Sequence, residues 1–275
     1  MDRILVFIPA YNCEKQIVRV LSQFNEQVLS YVTDIIIIDN GSPDNTVAEA
    51  KKYLIDHPGL PCKILVNDKN VNLGGSHKVA FKYALDNGYD YVNVLHGDDQ
   101  ADIRDFLPLF ESGDYRSYDC VLGSRFVKGS KLIGYSKKRI FGNKVFNLIF
   151  SISAGKKIRD MGSGLNLYSA GMLRSKYFIN LSDALYFNAE MLLFSAYYKH
   201  NCLFYPITWR EEDQVSNAKL FKLSWAMFKM AASYFFSHRK FVEKFSKEDI
   251  YSASVVFDNK AGKRQEEDSE VRGDV

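Results

Sequence analysis

Ile4-Leu5-Val6-Phe7-Ile8-Pro9-Ala10-Tyr11-Asn12 is a short apolar run that breaks at a proline into polar residues. Runs of this length, rich in β-branched residues and bounded by turn signals, form strands buried on both faces, as in a parallel sheet. The pattern recurs outward along the chain at Ile35–Ile38, Lys63–Val66, Tyr91–Leu95 and Asp119–Leu122. Helical spacings separate the runs. Ile17, Val20, Leu21, Phe24 and Val28 share one face, and Ser42-Pro43 pairs a capping hydroxyl with a proline suited to a first helical turn. This alternation predicts right-handed crossovers and an α/β fold, a Rossmann-like, mostly parallel sheet with helices on both faces. Ligands of such sheets bind at the carboxyl ends of the strands.

The second half is less regular. It predicts a helix over Ser136–Ser153, a turn at Met161-Gly162-Ser163-Gly164, a helix near Asn188–Tyr198 and a strand within Leu203–Trp209. Residues 1–220 read as one domain and 221–245 as an amphipathic helical extension, while 246–275 turns polar and reads as a disordered tail.

Composition narrows the classes. The 275 residues are 47% hydrophobic and 25% charged, which excludes collagen, a disulfide miniprotein and a chain disordered throughout. With 36 Lys+Arg against 33 Asp+Glu, the net charge of +3 gives no bulk argument for nucleic-acid binding, and none is expected. Cys13, Cys62, Cys120 and Cys202 show neither C-x-x-C pairing nor zinc spacing. Met1-Asp2-Arg3 leads directly into the first strand without the pattern of a secretory signal, so a reducing cytoplasm is expected. The apolar stretch Leu220–Phe236 is interrupted by Lys222 and Lys229 and falls short of a membrane span.

Polar residues gather where the strands end, at Pro9-Ala10-Tyr11-Asn12, Asp39-Asn40-Gly41-Ser42 and His96-Gly97-Asp98-Asp99-Gln100. Any one could be a turn or helix cap. Together they converge on one crevice, and the oxygen-rich last cluster suits Mg²⁺ or Mn²⁺ bridging a diphosphate. Asn72-Leu73-Gly74-Gly75-Ser76-His77-Lys78 precedes an apolar helix face; paired glycines, free amides and Lys78 favour phosphate there. That segment matches neither a P-loop nor a dinucleotide fingerprint. Between Asp119 and Asp160 the chain has no acidic residue but carries Arg125, Lys128, Lys131, Lys137, Lys138, Arg139, Lys144, Lys156, Lys157 and Arg159 among aromatic residues. A solvated face normally mixes signs, so an anionic membrane surface or a phosphorylated lipid is the expected partner.

In order and spacing, Val6-Phe7-Ile8-Pro9-Ala10-Tyr11-Asn12-Cys13-Glu14, Ile38–Thr46, Asn72–Gly75 and Leu95–Gln100 resemble the family 2 glycosyltransferases of GT-A fold. Gly123-Ser124-Arg125 and Asp160–Gly164 look like the dolichyl- and polyprenyl-phosphate sugar transferase branch. The resemblance implies an inverting, metal-dependent hexosyltransferase that takes a sugar from a nucleotide-diphosphate donor. Its donor site would comprise Pro9, Tyr11, Asn12, Glu14, Asp39, Gly41, Asn72, Gly74, Lys78 and Asp98, Lys78 on grounds of charge and location. Asp98, Gln100 and His96 would hold Mg²⁺ or Mn²⁺; Arg125, Arg139, Arg210 and Ser216 would bind the acceptor; and Asp98, Asp160 and Glu190 would be catalytic. The expected acceptor is polyprenyl phosphate at the inner face of the cytoplasmic membrane, in cell-envelope polysaccharide biosynthesis. The alternatives are transfer to a sugar hydroxyl of a lipid-linked or surface glycan, which needs a base, and a catalytically impaired nucleotide-sugar-binding protein. Asn40 and His96, which stand where the family usually has acids, motivate the last.

Overall fold

A computed structural model describes residues 1–212, 220–245 and 251–260. The strands are β1 (Ile4–Ala10), β2 (Asp34–Asp39), β3 (Cys62–Asn67), β4 (Tyr91–Leu95), β5 (Cys120–Ser124), β6 (Lys131–Ile133), β7 (Leu165–Ser169), β8 (Cys202–Pro206), β9 (Thr208–Arg210) and β10 (Ala253–Asp258). The helices are α1 (Ile17–Leu21), α2 (Glu26–Leu29), α3 (Thr46–Asp56), α4 (Asn72–Asp86), α5 (Leu107–Ser112), α6 (Lys137–Ala154), α7 (Ala170–Leu173), α8 (Phe187–Tyr197), α9 (Leu220–Phe236) and α10 (His238–Glu243).

The main sheet runs β10-β3-β2-β1-β4-β7-β5-β8. β1, β2, β3 and β4 are parallel, as the sequence predicts, and so are β5 and β8. β7 enters antiparallel between β4 and β5. Every residue of β1 and β2 is buried because both faces are covered. Leu5, Phe7, Ile36 and Ile38 enter the core beneath α4, α8 and α9, while Ile4, Val6, Ile8, Ile35 and Ile37 enter the one beneath α1 and α3. This alternation is the strand period of two imposed on a wholly apolar run.

Two C-terminal readings change. α9 is part of the fold: Met230, Ala231 and Tyr234 are buried in the core beneath the sheet, while the opposite face stays exposed. Residues 251–260, read from the sequence as polar tail, include β10, which pairs antiparallel with the edge strand β3. Lys63 and Lys260 form ion pairs with Asp258 and Asp34, and the Asn259 side chain donates to the Leu60 and His57 carbonyls. Covering the open edge of β3 satisfies backbone groups that local composition does not reveal.

Candidate active site

The chain proceeds from β1 to β2 and β3 on one side, then crosses to β4 on the other. Their carboxyl ends therefore diverge, and a cavity of about 430 Å³ opens at this switch point. Pro9, Ala10, Tyr11, Asn12 and Cys13 line it after β1; His96, Gly97, Asp98 and Gln100 line it after β4. Asn70, Asn72, Leu73 and Ser76 also line it, as do Arg139, Leu185 and Glu211. Asn12 and Asn72 have φ of 55°, and Asp99 has φ of 58°. Their short polar side chains tolerate this left-handed backbone, which turns the chain sharply at the rim.

Asp98 and His96 are the ionisable residues on the β4 side of the cavity. The adjacent Asp99 does not face the cavity: its Oδ2 lies 2.6 Å from Arg19 Nε, and its Oδ1 accepts from Gln23 Nε2. Asp98 Oδ1 accepts from the Gln100 amide at 3.3 Å. Burial raises the Asp98 carboxyl above its ordinary pKa despite His96, and burial lowers His96 despite Asp98. His96 Nε2 is buried without a hydrogen-bond partner. Its backbone amide donates to the Gly164 carbonyl at 2.8 Å, and a Cβ on Gly164 would come within 2.9 Å of the His96 side chain. The glycine turn thus seats the imidazole.

Among the described residues no group of three His, Cys, Asp or Glu side chains forms a complete cation cage. Asp98, with the unpartnered His96 nitrogen and Gln100 on the same wall, nonetheless fits a divalent ion that takes its remaining ligands from water and substrate phosphates.

Asn40 has a structural reason for not being an acid. Its Nδ2 donates to Asn70 Oδ1 at 2.9 Å, while its Oδ1 accepts from Asn67 Nδ2 at 3.0 Å and the Val71 amide at 2.9 Å. A carboxylate could accept but not donate. The network holds the β3–α4 connection against β2.

Several expected site residues lie elsewhere. Asp39 is buried and caps its own turn, accepting from the Gly41 and Ser42 amides at 3.0 and 2.9 Å, and Gly41 has φ of 75° there. Glu14 accepts from the Asn45 amide. Gly74 does not offer a free amide to phosphate: its N–H donates to the Asp183 carbonyl, and a Cβ would lie 2.4 Å from the Ser182 oxygen. Lys78 is buried on the far side of α4, with Nζ 2.8 Å from Asp183 Oδ1. None of these side chains lines the cavity.

The expected acceptor wall is also rearranged. Arg125 is buried and paired with Asp160, whose Oδ1 and Oδ2 accept from Nη2 and Nε at 2.7 and 2.8 Å. Asp160 also accepts from the Arg125 and Gly162 amides, so both oxygens are engaged. The ring of Tyr135 lies 5.6 Å from the Arg125 guanidinium and 5.4 Å from that of Arg139. Arg139 reaches the cavity, ion-paired with Glu211. Sequence reasoning missed Glu211; it enters only because β9 pairs with β6. Arg210 turns toward Asp102, while its amide donates to the Gln100 carbonyl and steadies that loop. Glu190 is buried, and Oε2 accepts from the Ser182 amide and hydroxyl, each at 2.8 Å. Burial raises its carboxyl to about 7, partly opposed by Ser182 and Lys78. Ser216 lies outside the described residues.

Comparison with known proteins agrees with this architecture. The undecaprenyl-phosphate mannosyltransferase of Micrococcus luteus is 27% identical over 173 residues, covering 63% of this chain and 69% of that protein. The polyprenol monophosphomannose synthase of Mycolicibacterium smegmatis is 24% identical over 172 residues, covering 62% and 63%. Among solved structures, S. aureus TarS 1–349 with UDP-GlcNAc superposes with a TM-score of 0.53 at 16% identity, covering 88% of this chain and 71% of that one. The M. tuberculosis glucosyl-3-phosphoglycerate synthase with Mn²⁺, UDP and phosphoglyceric acid gives 0.57 at 14%, covering 92% and 86%. The fold is therefore GT-A. A family model described as "Glycosyl transferase family 2" matches residues 5–180, well over half of the chain, which belongs to that family of glycosyltransferases.

Proposed function

We propose that this glycosyltransferase moves a hexose from a nucleotide-diphosphate sugar to polyprenyl phosphate, with inversion at the anomeric carbon and dependence on a divalent metal. The observation that carries this reading is the presence of Asp98, His96 and Arg139 together in the lining of one cavity. In this reading Pro9, Tyr11, Asn12 and Asn72, which line the cavity, would take the nucleoside, and Asp98 with His96 and Gln100 would take the diphosphate. A Mg²⁺ or Mn²⁺ ion held there by Asp98, with support from His96 and Gln100, would neutralise the diphosphate and ease its departure.

Arg139, in the same cavity, exchanges its ion pair with Glu211 for the acceptor phosphate and aligns that oxygen for in-line attack. The choice between acceptors turns on the base. A sugar hydroxyl must lose a proton to a carboxylate within hydrogen-bond reach. Asp160 is committed to Arg125, Glu190 lies outside the cavity in contact with Ser182, and Glu211, on the cavity wall, is ion-paired with Arg139. A phosphate acceptor is already ionised and needs none of the three. The lipid-linked acceptors named for the relatives support the same choice.

No described helix is long and apolar enough to cross a membrane. In this proposal the acceptor is met at the inner face of the cytoplasmic membrane by peripheral attachment. Incubation with UDP- and GDP-linked hexoses, Mn²⁺ or Mg²⁺, and undecaprenyl phosphate tests the proposal. A glycosyl phospholipid of inverted configuration is the expected product; transfer only to a lipid-linked glycan hydroxyl would favour the alternative acceptor.

A further inference from the structure

We infer that α6 and α9 together form one docking face for an anionic lipid surface, beginning at the mouth of the cavity. The two helices pack against each other. On α6, Phe141, Val145, Leu148 and Ile152 are exposed. Their spacing of four, three and four residues places them on one stripe roughly 16 Å long. On α9, Phe221, Trp225, Phe228, Phe235 and Phe236 are exposed on the side opposite Met230, Ala231 and Tyr234. Among the described residues both stripes are therefore uncovered faces of helices whose other faces are anchored in the fold.

Charge selects the occupant. Neither helix contains an acidic residue. Lys138 and Lys144 flank the α6 stripe, and Lys222 and Lys229 lie along the edge of the α9 stripe. A second copy meeting this face symmetrically would set lysines against lysines. A bilayer rich in anionic headgroups instead accepts the aromatic rings at the acyl boundary and the lysines among phosphates. Arg139, which lines the cavity, lies in the first turn of the same helix, about 200° around its axis from Phe141 and so on the side away from the stripe. A lipid with its chain in the leaflet would pass its phosphate around that first turn to reach the cavity. This last consequence rests on the proposed function; lipid docking does not.

The test is co-sedimentation of the full chain with phosphatidylcholine vesicles, with and without phosphatidylglycerol, in the absence of nucleotide. Binding about tenfold tighter to the anionic vesicles and weakening with salt is expected. Phe141→Ser, Leu148→Ser, Trp225→Ser and Phe228→Ser combined should cut that binding at least about tenfold, while circular dichroism and UDP or GDP affinity stay unchanged. Lys144→Glu with Lys229→Glu should abolish the anionic preference in a folded protein. Absence of wild-type binding, retention of full binding by the four-fold variant, or a wild-type dimer that this variant dissociates would overturn the inference. Vesicle binding without any transfer to polyprenyl phosphate would sink the proposed function and leave the docking face standing.

Discussion

Asp160 clasps Arg125 through two side-chain hydrogen bonds of 2.7 and 2.8 Å, with both groups withdrawn from solvent. The pair joins the end of β5 to the glycine turn that seats His96, so residues expected to contact the acceptor instead support the wall around it.

Breaking one half of this pair leaves a buried charge unmatched. Asp160→Ala is expected to lower stability by about 3–5 kcal/mol in urea titration. Loss of turnover with unchanged stability would instead restore Asp160 as a base.

Asp98→Ala should behave in the opposite way. Burial already disfavours the ionised carboxylate, so its removal is expected to leave the melting temperature of the ligand-free protein unchanged or higher. Transfer should fall about a hundredfold or more, and the metal-dependent part of nucleoside-diphosphate binding should vanish. Paired thermal melts and isothermal titrations with and without Mn²⁺ read both effects.

His96→Asp places a second carboxylate beside Asp98 in a buried site. The ligand-free protein should melt earlier through like-charge repulsion, recover when Mg²⁺ and nucleotide are added, and shift preference from Mn²⁺ toward Mg²⁺. An unchanged ratio of Mn²⁺- to Mg²⁺-supported activity would remove His96 from the metal's surroundings.

Asp39→Ala is expected to cost about 1–2 kcal/mol, because the Gly41 and Ser42 amides lose their acceptor. Nucleotide affinity should weaken only through distortion of that turn. Calorimetric unfolding beside titration with free UDP or GDP separates the effects; lost affinity at full stability would return Asp39 to base recognition.

Glu190 introduces a pH dependence of defined sign. Its folded pKa is raised from an ordinary 4.5 to about 7, so folding favours the protonated form. The contribution is fully present below about 4.5 and is lost as pH rises toward about 7, on the order of 3 kcal/mol in all. Glu190→Gln should flatten the stability profile across that window and leave the variant more stable than wild type at pH 8. Chemical denaturation at several pH values gives the comparison.

Part of the site was legible because its signals are local. A polar cluster directly after a buried strand must emerge at the sheet's carboxyl edge, which brought Asn12, His96, Asp98 and Gln100 to the cavity. The paired glycines at 74 and 75 were legible as a close approach but misleading about its partner. Gly74 meets the 182–183 segment, over a hundred residues downstream, and no local spacing encodes that contact.

The sequence by itself determined the parallel α/β core, the succession of its first strands along the chain and the sheet edge at which polar residues gather. Periodicity and strand-end polarity act over a few residues, and right-handed crossovers leave little topological choice. The tertiary structure alone decided which of the adjacent Asp98 and Asp99 faces the cavity, and that Arg125 is paired inward while Arg139 remains at the mouth. It also decided that Glu211 opposes Arg139 and that residues 253–258 close the sheet edge. Each outcome depends on partners distant in sequence, and a charge becomes ligand, base or structural clasp according to the counter-charge and burial that the completed fold provides.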